Sequence, residues 1–550
     1  MVTSLQEFLR QLLPLYPELV VITIALTVLL LDFFVDRRNK AILGWYSLIG
    51  IVIAASMTVK LMGTTGSFFG GTFLLDPFST YFKLAFYVAC GLGILVSMKY
   101  LDIENIHRGE YYALMLFATC GMMLMASAGD LITLYLGLEL MALSIYVLAG
   151  FMRSDSRSNE AGIKYLLLGA FSSGIMVYGM SLLYGMSGTT NLNGILASLR
   201  GADLANPVLF LASVMLVVSF GFKVAAVPFH MWVPDVYEGA PTSVTAFMSA
   251  GPKVAGFAVL LRMFAHTLQP LHADTSIILA GLAVMTMAVG NILAIAQTNI
   301  KRMLAYSSIA HAGYALVGLA AGGPDGAASV MLYVLIYAVM NMGAFGVVIM
   351  LRRSGARGEE IADFAGLGKT NKTAAFLMLI FLFSLTGIPP MAGFVGKFYI
   401  FKSAVQAGMI WLAVVGVLFS AISAYFYLRV IMLMYMYEPK QEFSLVQSPA
   451  LALALAISVT GVLVILGNWR AGHRRISFSC ARLRKGLHRR DLVGRDQAGS
   501  GKAFSREGGR RIAWPLFIFS VAAGVLFLLR PMMFLIPSCF SRCYTLSYEA

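Results

Sequence analysis

The stretch FGFKVAAVPFHMWVPDVYEGAP occupies residues 220–241. It lies between two apolar runs, PVLFLASVMLVVS (207–219) and TSVTAFMSAGPKVAGFAVLL (242–261). A lysine, a histidine and helix-breaking prolines thus interrupt sequence that otherwise has the character of a membrane span. Proline removes a backbone donor and frees a carbonyl. In lipid that is tolerated only where protein or water satisfies the freed group. The stretch therefore predicts a broken helix facing an internal polar path.

The surrounding composition supports a membrane setting. The chain has 550 residues, of which 59% are hydrophobic and 12% charged, and its mean hydropathy is +0.80. Soluble domains carry about 25% charged residues, so a water-soluble fold is excluded. A spanning helix needs ~20 mostly apolar residues. Fourteen candidates follow: 15–35, 41–62, 78–98, 111–128, 130–150, 161–186, 205–230, 241–264, 275–297, 302–322, 328–352, 373–402, 408–436 and 449–467. A further apolar run lies at 512–537. The short alternating segments of an outer-membrane barrel are absent. The fold class is an all-α polytopic membrane protein. The N-terminal segment has neither a charged start nor a small-residue cleavage site, and it reads as a retained span.

Basic residues give the orientation. They follow spans 1, 3, 5, 9 and 11, with Arg37, Arg38 and Lys40 first and Arg352 to Lys372 last. These are alternate loops, as one cytoplasmic side requires, which predicts the N-terminus outside. The net charge of +15 is dispersed over loops and a tail, so it does not point to nucleic acid. Cys90 and Cys120 fall within spans as small apolar residues. Among the five cysteines, none shows metal-ligand spacing.

An ionisable side chain at mid-bilayer costs at least ~2.5 kcal/mol on insertion scales. Those that persist there are candidates for function. Glu139 is central in span 5, Lys164 one turn into span 6, and Lys223 deep in span 7 with Pro228 and His230 just beyond. Lys253 is central in span 8, His311 in span 10, and Lys397 follows Pro389 and Pro390 in span 12. Taken alone, Lys164 could snorkel to the surface, and His311 reads as a hydrogen-bonding residue in a polar helix stretch. Lys83, Lys99, Arg262 and Lys402 read as anchors near span ends. The constellation says more than its members. Burial and a neighbouring carboxylate act in opposite directions on a lysine's proton affinity, so one carboxylate and one of these several lysines would form a switchable proton carrier. Nothing in the sequence suggests a nicotinamide, flavin or iron–sulfur site.

Spans 7 and 12 both carry prolines at depth. Paired broken spans at matching positions mark the ion site of inverted-repeat transporters. Their separation predicts two inverted five-helix repeats, helices 4–8 (111–264) and helices 9–13 (275–436). Helices 1–3 (1–110) precede them and helix 14 (449–467) follows. The match is imperfect, because Lys223 precedes its proline whereas Lys397 follows the Pro-Pro pair.

Four strings carry a resemblance: YLGLELMALSIYVLAGF (135–151), FKVAAVPFHMWVPDVYEGAPTSVTAFMSAGPKVAGF (222–257), TNIKRMLAYSSIAHAGY (298–314) and SLTGIPPMAGFVGKFYIF (384–401). In order, and over most of 10–465, the chain resembles the subunit N family of bacterial NADH-quinone oxidoreductase, respiratory complex I. The resemblance implies fourteen helices, broken helices 7 and 12, and a proton path. On that path Glu139 and Lys223 are paired, Lys164 lies on helix 6 and Lys253 on the central axis. His230 connects, and Lys397 stands on the exit side. It implies that NADH, flavin, iron–sulfur clusters and quinone belong to partner subunits. The expected partners are an adjacent antiporter-like subunit, small membrane subunits, peripheral subunits and the bilayer of a bacterial inner membrane. The alternative is a subunit of a multi-subunit Na+/H+ antiporter without redox coupling. The string LGLELMALSIYVL and Lys397 favour subunit N over subunits L and M.

Residues 468–550 depart from this pattern. Between Asn468 and Arg511 there are eleven Arg and two Lys against three acids, a net of +10. On the expected topology this basic block would lie outside, against the positive-inside rule. A shifted reading frame is the expectation here, with a lineage-specific extension as the alternative. Peptides recovered from 480–511 of the purified protein would contradict the frameshift.

Overall fold

The computed structural model describes residues 11–36, 39–106, 108–201, 204–352, 358–439 and 448–464. The basic tail, its apolar run 512–537, and Arg37, Arg38, Arg353 and Arg357 lie outside the described residues.

The chain is a bundle of helices: α1 (Tyr16–Asp32), α2 (Ala41–Lys60), α3 (Pro77–Ile103), α4 (Glu110–Ser127), α5 (Leu131–Ala149), α6 (Ser156–Ser187), the short α7 (Leu192–Arg200), α8 (Pro207–Val224) and α9 (Trp232–Gly239). There follow α10 (Thr242–Leu260), α11 (His272–Ile295), α12 (Ile300–Ala321), α13 (Gly323–Met350), α14 (Lys372–Thr386), α15 (Ala392–Gln406) and α16 (Ile410–Met436), and finally α17 (Pro449–Val464). A small hairpin of β1 (Gly66–Phe68) and β2 (Phe73–Leu75) links α2 to α3. Among the described residues, 12 helices are long and apolar enough to cross a membrane. The chain is a multi-pass membrane protein.

Polar side chains set the helix starts where the chain re-enters the apolar layer. Asp76 accepts from Ser79 N at 2.6 Å and Ser79 Oγ accepts from Asp76 N at 3.1 Å, a reciprocal cap for α3. Asp130, Asn206, Asn299 and Asn371 accept from first-turn amides of α5, α8, α12 and α14, without the reciprocal bond. Each satisfies amides that lipid cannot.

The two predicted breaks are present. Helix α8 stops at Val224, where Ala225 turns left-handed at φ 67, and the chain resumes as α9 at Trp232. Helix α14 stops at Thr386, Gly387 turns at φ 87, and α15 begins at Ala392. Gly387 suits this turn because it lacks the Cβ that opposes positive φ. In both breaks a side chain donates to a backbone carbonyl. Trp232 Nε1 donates to Phe222 O at 3.0 Å, and Lys397 Nζ donates to Thr386 O at 2.9 Å.

The helices sort by depth. In α10 and α13 the whole of the most apolar window is buried inside the protein. By contrast α1, α6 and α16 turn apolar faces outward, as expected of lipid-facing helices. Lys253 therefore sits on one of the innermost helices, and His311 on α12, whose corresponding window is 94% buried. Helix α4 packs tightly along α5 and α11 along α12. A side chain on Gly121 would press on the α5 backbone, and one on Gly290 on that of α12.

Two readings of charges change here. Lys83 and Arg262 are not surface anchors. Lys83 is fully buried and pairs with Glu18 at 2.6 Å, while Arg262 pairs with Asp76 at 2.6 Å and donates to Ala126 O at 2.6 Å. Sequence position near a span end suggested snorkelling, but an inward-facing carboxylate partner holds each cation inside.

Candidate proton path

At one end of the bundle, groups from the ends of α3, α9, α12 and α13 come together. Arg352 bonds Glu104 at 2.5 Å and Glu359 at 2.6 Å. Lys301 reaches Glu359 at 3.5 Å and donates to the carbonyls of Glu238 and Ala240 at 2.7 and 2.9 Å. Burial works to raise the proton affinity of Glu359, but the Lys301 and Arg352 charges outweigh it and hold its carboxyl below the usual range. Lys301, Arg302 and Arg352 thus share one end with Glu104, Glu238 and Glu359.

Lys164 belongs to this end. Its side chain is 41% exposed and pairs with Glu160 at 2.6 Å and Asp235 at 2.9 Å. Asp235 also takes Arg302 at 3.1 Å. These residues line an open cleft of about 260 Å³ with Arg157 and Glu238. Lys164 therefore stands at the mouth of this cleft. The reason is local: α6 begins at Ser156, only two turns before it.

Below the mouth, Tyr165 stacks on Trp232 at 4.3 Å and meets the Tyr146 ring edge-on at 4.7 Å. The Tyr146 hydroxyl accepts from Lys223 Nζ at 3.2 Å. Glu139 lies two turns from Tyr146 on α5, where Ser173 Oγ donates to it. Among the described residues the ion pairs do not include Glu139 with Lys223. The pair expected from sequence is in one neighbourhood but is not closed.

His230 is half-buried in the first break and Pro228 is exposed. The adjacent amide, Val227 N, donates to Thr286 Oγ1 at 2.9 Å. Pro389 and Pro390 are exposed in the second break. The hydrogen bonds of Lys253 go to Ser308 and not to His230, so the structure does not place His230 as the next stop. Packing joins the two groups instead: a Cβ at Gly256 would meet Val224 at 2.7 Å.

The inner group is more continuous. Lys253 Nζ donates to Ser308 O at 2.5 Å and to the Ser308 hydroxyl. It lies 5.8 Å from the centre of the Tyr337 ring. His311 Nδ1 meets the Tyr333 hydroxyl at 2.6 Å, and Nε2 meets that of Tyr427 at 3.2 Å. A cavity of about 10 Å³ lies between Lys253 and His311, bounded by Tyr333 and Tyr337. That is room for about one water. Lys397 Nζ lies 4.6 Å from the centre of the Tyr314 ring and donates to Ser420 Oγ at 2.8 Å. Tyr314 meets His311 edge-on at 5.7 Å.

Sequence reasoning missed Tyr146, Ser173, Ser308, Tyr333, Tyr337, Tyr427 and Ser420. A signal existed for some of them. YSSIAH (306–311) is unusually polar for a central span, and Tyr333 and Tyr337 stand one turn apart on α13. Nothing in the sequence showed that they meet. Among the described residues no group of three or more His, Cys, Asp or Glu could hold a metal ion.

The family model for the membrane part of NADH:quinone oxidoreductases and Mrp antiporters matches residues 128–423. A protein of Trichlorobacter lovleyi named NADH-quinone oxidoreductase subunit N is 51% identical over 451 residues, covering 82% of this chain and 92% of the relative. The chain belongs to the subunit N family of NADH-quinone oxidoreductases. A second member, from Rhizobium meliloti, is 50% identical over 449 residues, 82% of this chain and 93% of the relative. Among solved structures, a chain of respiratory complex I from Thermus thermophilus with bound aureothin matches at TM-score 0.67 and 31% identity, covering 82% of this chain and 96% of that one. The Mrp complex from Dietzia matches at TM-score 0.73 and 23% identity, covering 84% and 95%. At that identity the Mrp likeness concerns the fold alone. Membership in the subunit N family makes this chain a membrane subunit of a proton-pumping NADH-quinone oxidoreductase, with other membrane and peripheral subunits as partners.

Proposed function

We propose that this chain carries protons across the bacterial inner membrane through Glu139, Lys223, Lys253, His311 and Lys397. Lys164 stands at the aqueous mouth and His230 in the first break. Electrons pass from NADH to quinone through flavin and iron–sulfur centres of partner subunits, and their energy drives the movement. The helices group as three N-terminal crossings, two inverted repeats of five and a last crossing. The count is fourteen when α8 with α9, and α14 with α15, each make one broken crossing. The charged end with Lys164 faces the cytoplasm and the N-terminus faces outside.

The observation that carries this reading is a contrast between two kinds of buried cation. Lys83, Arg262 and Lys301 each sit beside a carboxylate. Lys223, Lys253 and Lys397 are buried too, yet neutral oxygens hold them: a tyrosine hydroxyl, serine groups and a backbone carbonyl. A lysine held by neutral oxygens can bind or release a proton without stranding a carboxylate in the interior. A paired one cannot, because removing either charge from a buried pair costs several kcal/mol, about 3–5. The unpaired lysines and His311 are therefore the ones suited to exchange.

Replacing Lys253 with Met tests it. The Met keeps the volume and removes the exchangeable proton. In the purified complex in liposomes, proton translocation per NADH should fall at least tenfold. Wild-type translocation by an assembled Lys253→Met complex would overturn the reading.

A further inference from the structure

Three residues on one face of α6 stand four apart: Tyr165, Gly169 and Ser173. Residues at this spacing stack along one side of a helix. Together they face two residues of α5, Tyr146 and Glu139. Tyr165 packs edge-on against the Tyr146 ring at 4.7 Å. Ser173 donates to Glu139. Between them Gly169 leaves a notch, and a Cβ there would overlap the Tyr146 hydroxyl. That hydroxyl accepts the hydrogen bond of Lys223 at 3.2 Å. One turn before Lys223, Ser172 Oγ donates to Ser219 O at 3.2 Å and ties α6 to α8.

We propose that Tyr146 is a positioning residue that holds Lys223 away from Glu139, and that Gly169 is the notch that makes this state available. This inference rests on the reading of Glu139 and Lys223 as proton-path groups. In the state described, α6 keeps the pair open from both sides. Ser173 occupies the carboxylate, and the hydroxyl seated at Gly169 occupies the lysine. Among the titratable groups on neighbouring elements, Tyr146 is the one bonded to Lys223. Lys253 on α10 bonds Ser308 instead, and Asp235 on α9 is engaged by Lys164 and Arg302. To close the ion pair, the Lys223 ammonium or the Glu139 carboxylate must move from the position in which Tyr146 or Ser173 holds it. The switch thus has a defined open state, set by two neutral side chains and one missing Cβ.

The same arrangement ties the switch to the aqueous mouth. Tyr165 follows Lys164 directly in sequence and stacks on Trp232 at 4.3 Å. Trp232 bonds the carbonyl of Phe222, the residue before Lys223. A shift of α9 against α6 therefore reaches Tyr146 through Tyr165 and the backbone beside Lys223 through Trp232.

The test is Tyr146→Phe in the intact complex, read by proton translocation per NADH and by structure determination of the variant. NADH oxidation by an artificial acceptor, which needs only the redox subunits, shows that those subunits stay active, and co-purification of the variant chain with them shows that the complex is intact. Without the hydroxyl, Lys223 should be found within ion-pair distance of Glu139. Coupled translocation should then fall about tenfold, the scale of one hydrogen bond to a charged group. Gly169→Ala approaches from the other helix and keeps every polar group; it should displace the hydroxyl from Lys223 and lower translocation likewise. A variant complex with Lys223 still apart from Glu139 and wild-type translocation overturns the inference. Lys223→Ala, run alongside, separates the two levels. If it abolishes translocation while Tyr146→Phe and Gly169→Ala change nothing, only the role of Tyr146 fails. If Lys223→Ala also translocates normally, the underlying reading fails.

Discussion

His311 Nδ1 lies 2.6 Å from the Tyr333 hydroxyl, deep inside α12 and α13. The other ring nitrogen meets Tyr427 at 3.2 Å. Both edges of the imidazole are engaged by hydroxyls from different helices. A hydroxyl can donate or accept, so this ring can change its protonation without losing either partner. That suits a proton stop more than a fixed structural bond.

Replacing Tyr333 with Phe should therefore separate packing from transfer. The ring stays, and one imidazole edge loses its partner in a buried site. Stability should fall by about 1–3 kcal/mol. Translocation should fall about tenfold while the complex still assembles. Proteoliposome proton uptake alongside a thermal melt measures both, and normal uptake would show that the hydroxyl is not needed.

The Glu18–Lys83 pair predicts the opposite pattern. Both side chains are almost completely buried, 2% and 1% exposed. Breaking the pair with Glu18→Leu or Lys83→Met alone should cost about 3–5 kcal/mol, because an uncompensated charge remains. The double variant Glu18→Leu/Lys83→Met should recover most of that loss and pump normally. Loss of pumping in a stable double variant would place this pair in the transport machinery.

Glu359 gives a pH dependence with a definite sign. Its folded-state carboxyl is held below the ordinary value by Lys301 and Arg352, against the effect of burial. Its contribution is present above the unfolded value of about 4.3 and is lost as pH falls through the folded value. The bundle should therefore weaken below roughly pH 4. Glu359→Gln should remove this acid-sensitive component and cost about 3 kcal/mol at neutral pH. Thermal melts of both forms between neutral and acid pH check it.

Much of the fold was legible because apolar length is a strong signal, and the prolines at 228, 389 and 390 marked both breaks. The deep lysines could be named for the same reason: few charges survive in such spans. Partners were harder. Lys83 and Arg262 looked like anchors because their carboxylates, Glu18 and Asp76, are 65 and 186 residues away in sequence. Lys164 read as able to snorkel, but its carboxylate partner Asp235 lies 71 residues away in sequence and could not be named. The tyrosines around His311 were hidden among 24 tyrosines, since only packing shows which of them converge.

The most direct measurement is proton translocation by the intact complex carrying Glu139→Ala. Translocation and coupled quinone reduction should fall strongly, while NADH oxidation by an artificial acceptor continues. An assembled Glu139→Ala complex that pumps as many protons per NADH as the unaltered one would contradict the proposed path.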